Sequence, residues 1–153
     1  MKNKAKVIVY VDMVCDLFHL NHINFIKNAI EAGKEKHMQV AVNWPQVKLI
    51  VGIHDDKTIT EYKEKPVMTL EERVPVVEAC RYVDEVIPGA PTIITKEFIK
   101  EHKIDLVVHA HSAEEDDKYN YQHAIPKKLG IFKRIDYCEG ITSTEIKERI
   151  KND

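Results

Sequence analysis

The stretch from Val7 to His22, VIVYVDMVCDLFHLNH, constrains what this chain can fold into more than any other segment. Val7, Ile8, Val9, Tyr10 and Val11 are β-branched or aromatic without polar alternation, the pattern of a central strand buried on both faces. Asp12 and Asp16 break the run, and His19 and His22 follow three residues apart. On the first turn of a helix these two imidazoles share one face. A helix N-terminus presents unpaired backbone N–H groups and a partial positive charge, which suits a phosphate. Two imidazoles placed there can donate to the same anion. The opening is therefore a candidate nucleotide-phosphate site, although the spacing alone equally describes two surface histidines.

Strand and helix signals alternate from there on, which predicts an open parallel α/β sheet with helices on both faces. Asn21 to about Lys36 reads as a helix with Ile23, Ile26 and Ile30 on its apolar stripe. Pro45 forbids a continuous helix over His37 to Gln46, and Val47 to Ile53 is a second buried strand. Asp55 to Lys65 is polar and begins with a short helix. Thr69 and Glu72 form a capping box for a helix reaching about Tyr82. A strand over Glu85 to Ile87, a helix capped by Thr95 through Glu101, and a strand over Ile104 to His109 come next. Ala110 to Gln122 is acidic and reads as an active-site loop. Ile131 to Tyr137 holds the last strand, and Thr142 or Ser143 opens a closing helix that ends near Ile150. Ligands of such sheets bind at the C-terminal rim of the strands, where strand order switches. His19, His22, His109 and the Thr142-Ser143-Thr144 cluster all fall at that rim.

Composition excludes several classes. The chain has 153 residues, enough for one domain spanning 1–153 with a sizeable core, and its 44% hydrophobic and 31% charged content is that of a globular protein. A net charge of −2 points to no nucleic acid. No apolar run is long enough for a membrane span or an export signal, and Cys15, Cys80 and Cys138 are too scattered for a disulfide framework or a zinc site. A cytoplasmic protein is the expectation.

Taken in order, these segments resemble the cytidylyltransferases that activate phosphoethanolamine, phosphocholine or glycerol 3-phosphate with CTP. Tyr10 to His22 is similar to their first motif, whose F-D-x-x-H-x-G-H core binds CTP. Lys63 followed by Pro66 to Arg73 resembles their substrate-lysine segment, Cys80 to Val86 a further signature, and Tyr137 to Ser143 their R-T-x-G-I-S-T motif. The likeness runs from about Lys6 to Ile150. It implies a Rossmann-like nucleotidyltransferase fold of the HxGH type, and transfer of CMP from CTP to a phosphorylated amino alcohol, phosphoethanolamine before phosphocholine, for phospholipid synthesis.

The resemblance implies His19, His22 and Lys63 as catalytic residues. It implies Val11, Asp12, Met13, Val14, Cys15, Asp16, His109, Tyr137, Gly140, Ile141, Thr142, Ser143 and Thr144 around the nucleotide. Asp16 holds the nucleotide loop in this reading, and Asp12 is a loop-stabilising carboxylate. Lys63, Thr92 and Glu114 meet the acceptor, with Glu114 or Glu115 pairing its ammonium. Mg²⁺ is implied as the companion of CTP, with no protein metal ligand singled out, and a homodimer is implied as the assembly.

The chain also departs from the pattern. Asn21 stands where the family has glycine, Met13 replaces the loop glycine, Cys15 the aromatic, and Tyr137 the arginine that would bring a fixed charge to the triphosphate. Arg134 or Lys133 would compensate for that charge. Lys36 to Gln46, with Trp44-Pro45, is longer than the family's connection. These departures leave two alternatives open: a non-catalytic nucleotide-binding or regulatory domain, and the same chemistry on glycerol 3-phosphate, a phosphonate or even with ATP.

Overall fold

The computed structural model describes residues 6–38 and 46–153. The central part of the long connection, with Trp44 and Pro45, lies outside the described residues. Five parallel strands form one sheet: β1 (Val7–Met13), β2 (Val47–Ile53), β3 (Glu85–Pro88), β4 (Leu106–Ala110) and β5 (Phe132–Ile135), in the order β3-β2-β1-β4-β5. Among the described residues the α-helices are α1 (Leu20–Met38), α2 (Asp56–Thr60), α3 (Leu70–Glu78), α4 (Lys96–Glu101) and α5 (Asp116–Lys128) between strands, and α6 (Ser143–Lys151) after the last one. Strand order reverses between β1 and β4, so their C-terminal ends open the crevice where such sheets bind ligands. No helix among the described residues is long and apolar enough to cross a membrane.

Side chains alternate across the sheet, and that alternation decides which residues reach the crevice. Val7, Val9 and Val11 of β1, with Leu49, Val51, Ile53, Leu106 and Val108, pack against Phe25, Ile26, Ala29 and Ala32 of α1 and Val77 of α3. Tyr10, Ile50 and Val107 face the other way, toward Ile94, Ile99 and Ile104. Tyr10 pairs with Ile50 and with Val107, and Asp12 with Gly52. Two residues further along the second face stand Asp12, Gly52 and His109. A Cβ on Gly52 would run into the Tyr10 hydroxyl, so only glycine lets that ring cross beneath the site.

Boundaries shift where tertiary contacts intervene. α1 starts at Leu20 and runs to Met38. The helix expected to reach Tyr82 ends at Glu78, because the chain must turn for Asp84 to meet β2, where its carboxylate accepts from Leu49 N at 2.7 Å. The capping box holds, with Thr69 N donating to Glu72 Oε2 at 2.9 Å. The acidic segment expected as a loop is instead a 3₁₀ turn (Ala113–Glu115) running into α5. Asp116 and Asp117 sit on the first turn of α5 and Lys127 and Lys128 on its last, so these charges complement the helix dipole.

Arg73 on α3 is fully buried. It donates to Met68 O at 3.1 Å, Val14 O, His54 O at 3.0 Å and Asp56 Oδ1 at 2.6 Å, tying three loops of the rim together. Arg73→Met orphans three carbonyls and takes the guanidinium away from Asp56, which keeps only Leu70 N at 3.3 Å among the described residues. It is expected to lower unfolding free energy by about 3 kcal/mol or more in urea titration; a loss under about 1 kcal/mol would contradict this role.

Candidate active site

A cavity of about 640 Å³ opens at the β1/β4 switch, within the range of small-ligand sites. Its wall takes in Asp12, Met13, Val14, Cys15, Asp16, His19, His22, Lys63, His109, Tyr137, Ile141, Thr142, Ser143 and Thr144 of the residues singled out above. It also takes in Asn21, Glu64 and Lys147, which were not singled out for the site. Val11, Gly140, Thr92 and Glu114 are not part of the wall. Val11 is fully buried in the α1-side core, and Thr92 lies in the turn beyond β3. Glu114 sits exposed on the 3₁₀ turn, while Glu115 is taken up by Ser112 N at 3.2 Å and the Tyr137 hydroxyl at 3.0 Å.

The loop between β1 and α1 is held by polar pairing. Asp16 accepts from Val67 N and Met68 N, both at 2.9 Å, and Ser143 Oγ donates to Asp16 O at 2.8 Å. Within it Cys15 (φ 59°) and Leu17 (φ 49°) adopt the left-handed region that non-glycine residues resist. Burial pushes the Cys15 thiol up to about 12, which makes it an inert packing group. Asn21 is helical, so no positive φ explains the glycine of related motifs. Its Nδ2 donates to Cys138 O at 3.1 Å and anchors the loop before α6. In that loop Gly140 has φ +118°, a conformation that glycine supplies.

The backbone fixes the tautomers of the paired histidines. Asn21 N donates to His19 Nδ1 at 3.2 Å, and His19 N donates to His22 Nδ1 at 3.1 Å. Each ring therefore carries its proton on Nε2. The rings lie 3.9 Å apart, and Phe18 stacks on His22 at 5.3 Å. Burial, reinforced by His19, pushes His22 down to about 4, so it is a neutral N–H donor at physiological pH. α6 approaches from the other side, with Thr142 capping Glu145 N at 3.1 Å and Lys147 3.8 Å from Asp16 Oδ2. Lys147 is four residues beyond Ser143, and that helical spacing was the available signal. The expected compensating cations are engaged elsewhere: Arg134 bonds His111 O and Asp136, and Lys133 bonds Glu35.

Asp12 is not a loop brace. It is buried, with no hydrogen bond to either oxygen among the described residues. His54 Nε2 lies 3.3 Å from Oδ2, within ion-pair range but off a hydrogen-bond line, and His54 Nδ1 pairs with Ala90 O at 3.0 Å. Burial opposes charge on His54, but Asp12 and the Ala90 carbonyl outweigh it and raise its pKa. Burial opposes ionisation of Asp12 too, and the facing histidines hold its carboxyl below its ordinary value. His109 and His123 are lowered by burial, His123 to about 4, so of the three imidazoles facing Asp12 it is His54 that takes a proton most readily. Burial, with Lys118 nearby, also lowers the Lys63 pKa.

Between about pH 4 and the ordinary histidine value of 6.5, the unfolded chain binds a proton at residue 22 that the folded chain refuses. Stability from this group is therefore present above pH 6.5 and lost as pH falls toward 4. His22→Gln removes the effect, so its stability relative to the parent is expected to rise on acidification over that window in paired urea titrations. A difference that stays flat with pH would contradict a neutral, half-buried His22.

A family model described as Cytidylyltransferase-like matches residues 14–149. Ethanolamine-phosphate cytidylyltransferase of Dictyostelium discoideum is 40% identical over 152 residues, covering 94% of this chain and 37% of the relative. Choline-phosphate cytidylyltransferase A of Homo sapiens is 37% identical over 149 residues, covering 95% and 36%. The chain thus spans little more than a third of either relative's length. A lipopolysaccharide core biosynthesis protein from Thermoplasma volcanium superposes with a TM-score of 0.62 over 88% of this chain and 98% of that one, at 20% identity, which shows a shared fold. With the family match running from the strained loop after β1 to the end of α6, this chain belongs to the cytidylyltransferase-like family.

Proposed function

We propose that the chain transfers CMP from CTP to phosphoethanolamine, releasing pyrophosphate and giving CDP-ethanolamine for phospholipid synthesis in the cytoplasm. The observation that carries this reading is the gathering of phosphate-binding groups in one cavity: two neutral histidines with Nε2–H donors, Lys63, and the N-terminus of α6 with Thr142, Ser143 and Thr144. The relatives include both ethanolamine- and choline-phosphate cytidylyltransferases, which supports the acceptor class.

In the reaction an oxygen of the acceptor phosphate attacks the α-phosphorus, the bond to the bridging oxygen breaks, and pyrophosphate carries away the electron pair. The protein supplies positioning and charge stabilisation. His19 and His22 donate to phosphate oxygens where negative charge builds, without surrendering a proton. Lys63 sits in the same wall and draws the two phosphates together by charge. The N-terminus of α6, with its hydroxyls and Lys147, holds the leaving pyrophosphate end.

A divalent cation, Mg²⁺ in this reading, fits as a passenger of the triphosphate. The carboxylates in the cavity wall are Asp12, Asp16 and Glu64, and Asp16 is already engaged by two backbone N–H groups. Phosphate oxygens would supply most of its ligands, and it would neutralise charge on CTP. A homodimer is the assembly we infer, to be tested by light scattering.

Pyrophosphate release with CTP, Mg²⁺ and phosphoethanolamine tests the reading. His19→Ala and His22→Ala are each expected to lower kcat by about 10²–10³; full turnover in both would overturn it. Tyr137→Arg is expected to tighten CTP, because the parent lacks that fixed charge. CTP binding without release for any acceptor would favour the non-catalytic alternative.

A further inference from the structure

His54, the residue after β2, has no part in the phosphate chemistry, yet its placement is over-determined. It is 5% exposed. Its backbone N donates to Met13 O at 3.2 Å, carrying the β1–β2 ladder one step past the strands, and its carbonyl accepts from Arg73 Nη2 at 3.0 Å. Its ring Nδ1 lies 3.0 Å from Ala90 O, and a carbonyl only accepts, so Nδ1 carries a hydrogen. Ala90 is itself fixed, its N donating to Ile53 O at 3.0 Å. The backbone N, the carbonyl and Nδ1 are thus spent on holding the residue, and Nε2 is left 3.3 Å from Asp12 Oδ2. Gly52 permits this approach. It stands opposite Asp12 in the β1–β2 register, and His54, two residues on, follows on the same face with no side chain between.

With Nδ1 holding a hydrogen, Nε2 has two states. Neutral, it turns a lone pair toward a buried carboxylate that has no hydrogen bond to either oxygen among the described residues, and the two repel. Protonated, it brings the opposite charge, and the two attract. One proton therefore decides whether the pair holds. Burial and Lys63 oppose that proton, whereas Asp12 and the Ala90 carbonyl favour it and prevail. The rest of the cluster around Asp12 is less suited to the role. His109 Nε2 is 4.0 Å from Oδ1, and burial disfavours charge on it and on His123, which faces Asp12 from α5. Burial keeps the Tyr10 and Tyr62 phenols protonated, with Asp12 adding to the effect. Asp55, next in sequence, is spent on Thr58 N at 2.7 Å. Asp12 lines the cavity, and His54 stands behind it, outside the wall.

We propose that His54 is a positioning residue that shares one proton with Asp12 from behind the cavity wall, and that a cation arriving on the cavity side of Asp12 competes with that proton. The proposal rests on the phosphoethanolamine reading above and adds its control by pH. As the acceptor's ammonium draws on the carboxylate charge, the Nε2–H bond of His54 breaks, its electron pair stays on the ring, and the proton passes to solvent. Linkage makes the effect reciprocal: a proton on His54 weakens the acceptor by the factor by which the acceptor weakens the proton. Acceptor use therefore falls on acidification, while CTP, held at the other end of the cavity, is not coupled to this pair.

The experiment follows the His54 ring by ¹H–¹⁵N NMR of the full chain labelled at histidine, with its signal identified by loss in His54→Gln. In the parent the neutral ring is expected to carry its hydrogen on Nδ1 and to titrate above the ordinary value of 6.5. Asp12→Asn is expected to lower its proton affinity about tenfold and saturating phosphoethanolamine about threefold, whereas glycerol 3-phosphate, which brings no cation, causes no such loss. In turnover, kcat/KM for phosphoethanolamine is expected to fall about threefold or more between about pH 8 and about pH 6 relative to His54→Gln. Titration of the acceptor's own phosphate cancels in that comparison, and KM for CTP is expected to follow the same pH profile in both proteins. A neutral ring protonated on Nε2, a titration that Asp12→Asn leaves unmoved, or one unmoved by phosphoethanolamine that is being turned over would overturn the proposal. So would parallel acceptor profiles in the parent and His54→Gln. If the parent transfers CMP to no acceptor, the functional reading fails, and the Asp12→Asn titration still decides the shared proton.

Discussion

The site depends on a loop that would not hold its shape alone. Two consecutive-but-one residues after β1, Cys15 and Leu17, sit in the left-handed region without being glycine. The surrounding structure over-determines them. Asp16 is held by two backbone N–H groups from the segment before α3, its carbonyl is held by Ser143, and the buried Arg73 grips the carbonyl of Val14. One guanidinium and one carboxylate thus join the β1–α1 loop, the α2 entry, the segment carrying Lys63 toward α3, and the start of α6. Every group assigned to the phosphates stands on one of these segments, so the geometry of the cavity is a consequence of that buried polar pairing.

The cavity is chemically divided. Donors and cations gather at one end, where His19, His22, Lys63, Lys147 and the N-terminus of α6 converge. The buried Asp12 carboxylate, with neither oxygen hydrogen-bonded among the described residues, and His109 line the other part of the wall. A phosphorylated primary amine carries the complementary pattern, anion at one end and ammonium at the other. Glycerol 3-phosphate would match the first end and bring no cation to Asp12.

Much of the fold was legible because its signals are local. The apolar run of β1, the second run at Val47–Ile53 and the Thr69–Glu72 capping box are each written within a few residues. α5 was missed because acidic residues on a helix's first turn look like a solvated loop until the capping box at Ser112 and the lysines of the last turn are counted together. The site was legible where motif order carries it, and less so where pairing register does. Alternation along β1 and β4 places Asp12 and His109 on one face, beside Tyr10 and Val107, but that relation exists only once the two strands are paired. His123 comes to the cluster from α5, whose existence had not been anticipated. Thr92 and Glu114 were placed by analogy with an acceptor pocket, and the turn after β3 and the 3₁₀ turn carry them away from the cavity.

The most direct test of the central claim is a crystal structure of the full chain with CDP-ethanolamine bound. The account expects the pyrophosphate-linked phosphates against the Nε2 atoms of His19 and His22 and near Lys63, with the ammonium on the Asp12 side of the same cavity. A product bound outside the β1/β4 crevice, or one whose ammonium meets Glu114 and Glu115 while Asp12 stays unpaired, would contradict it.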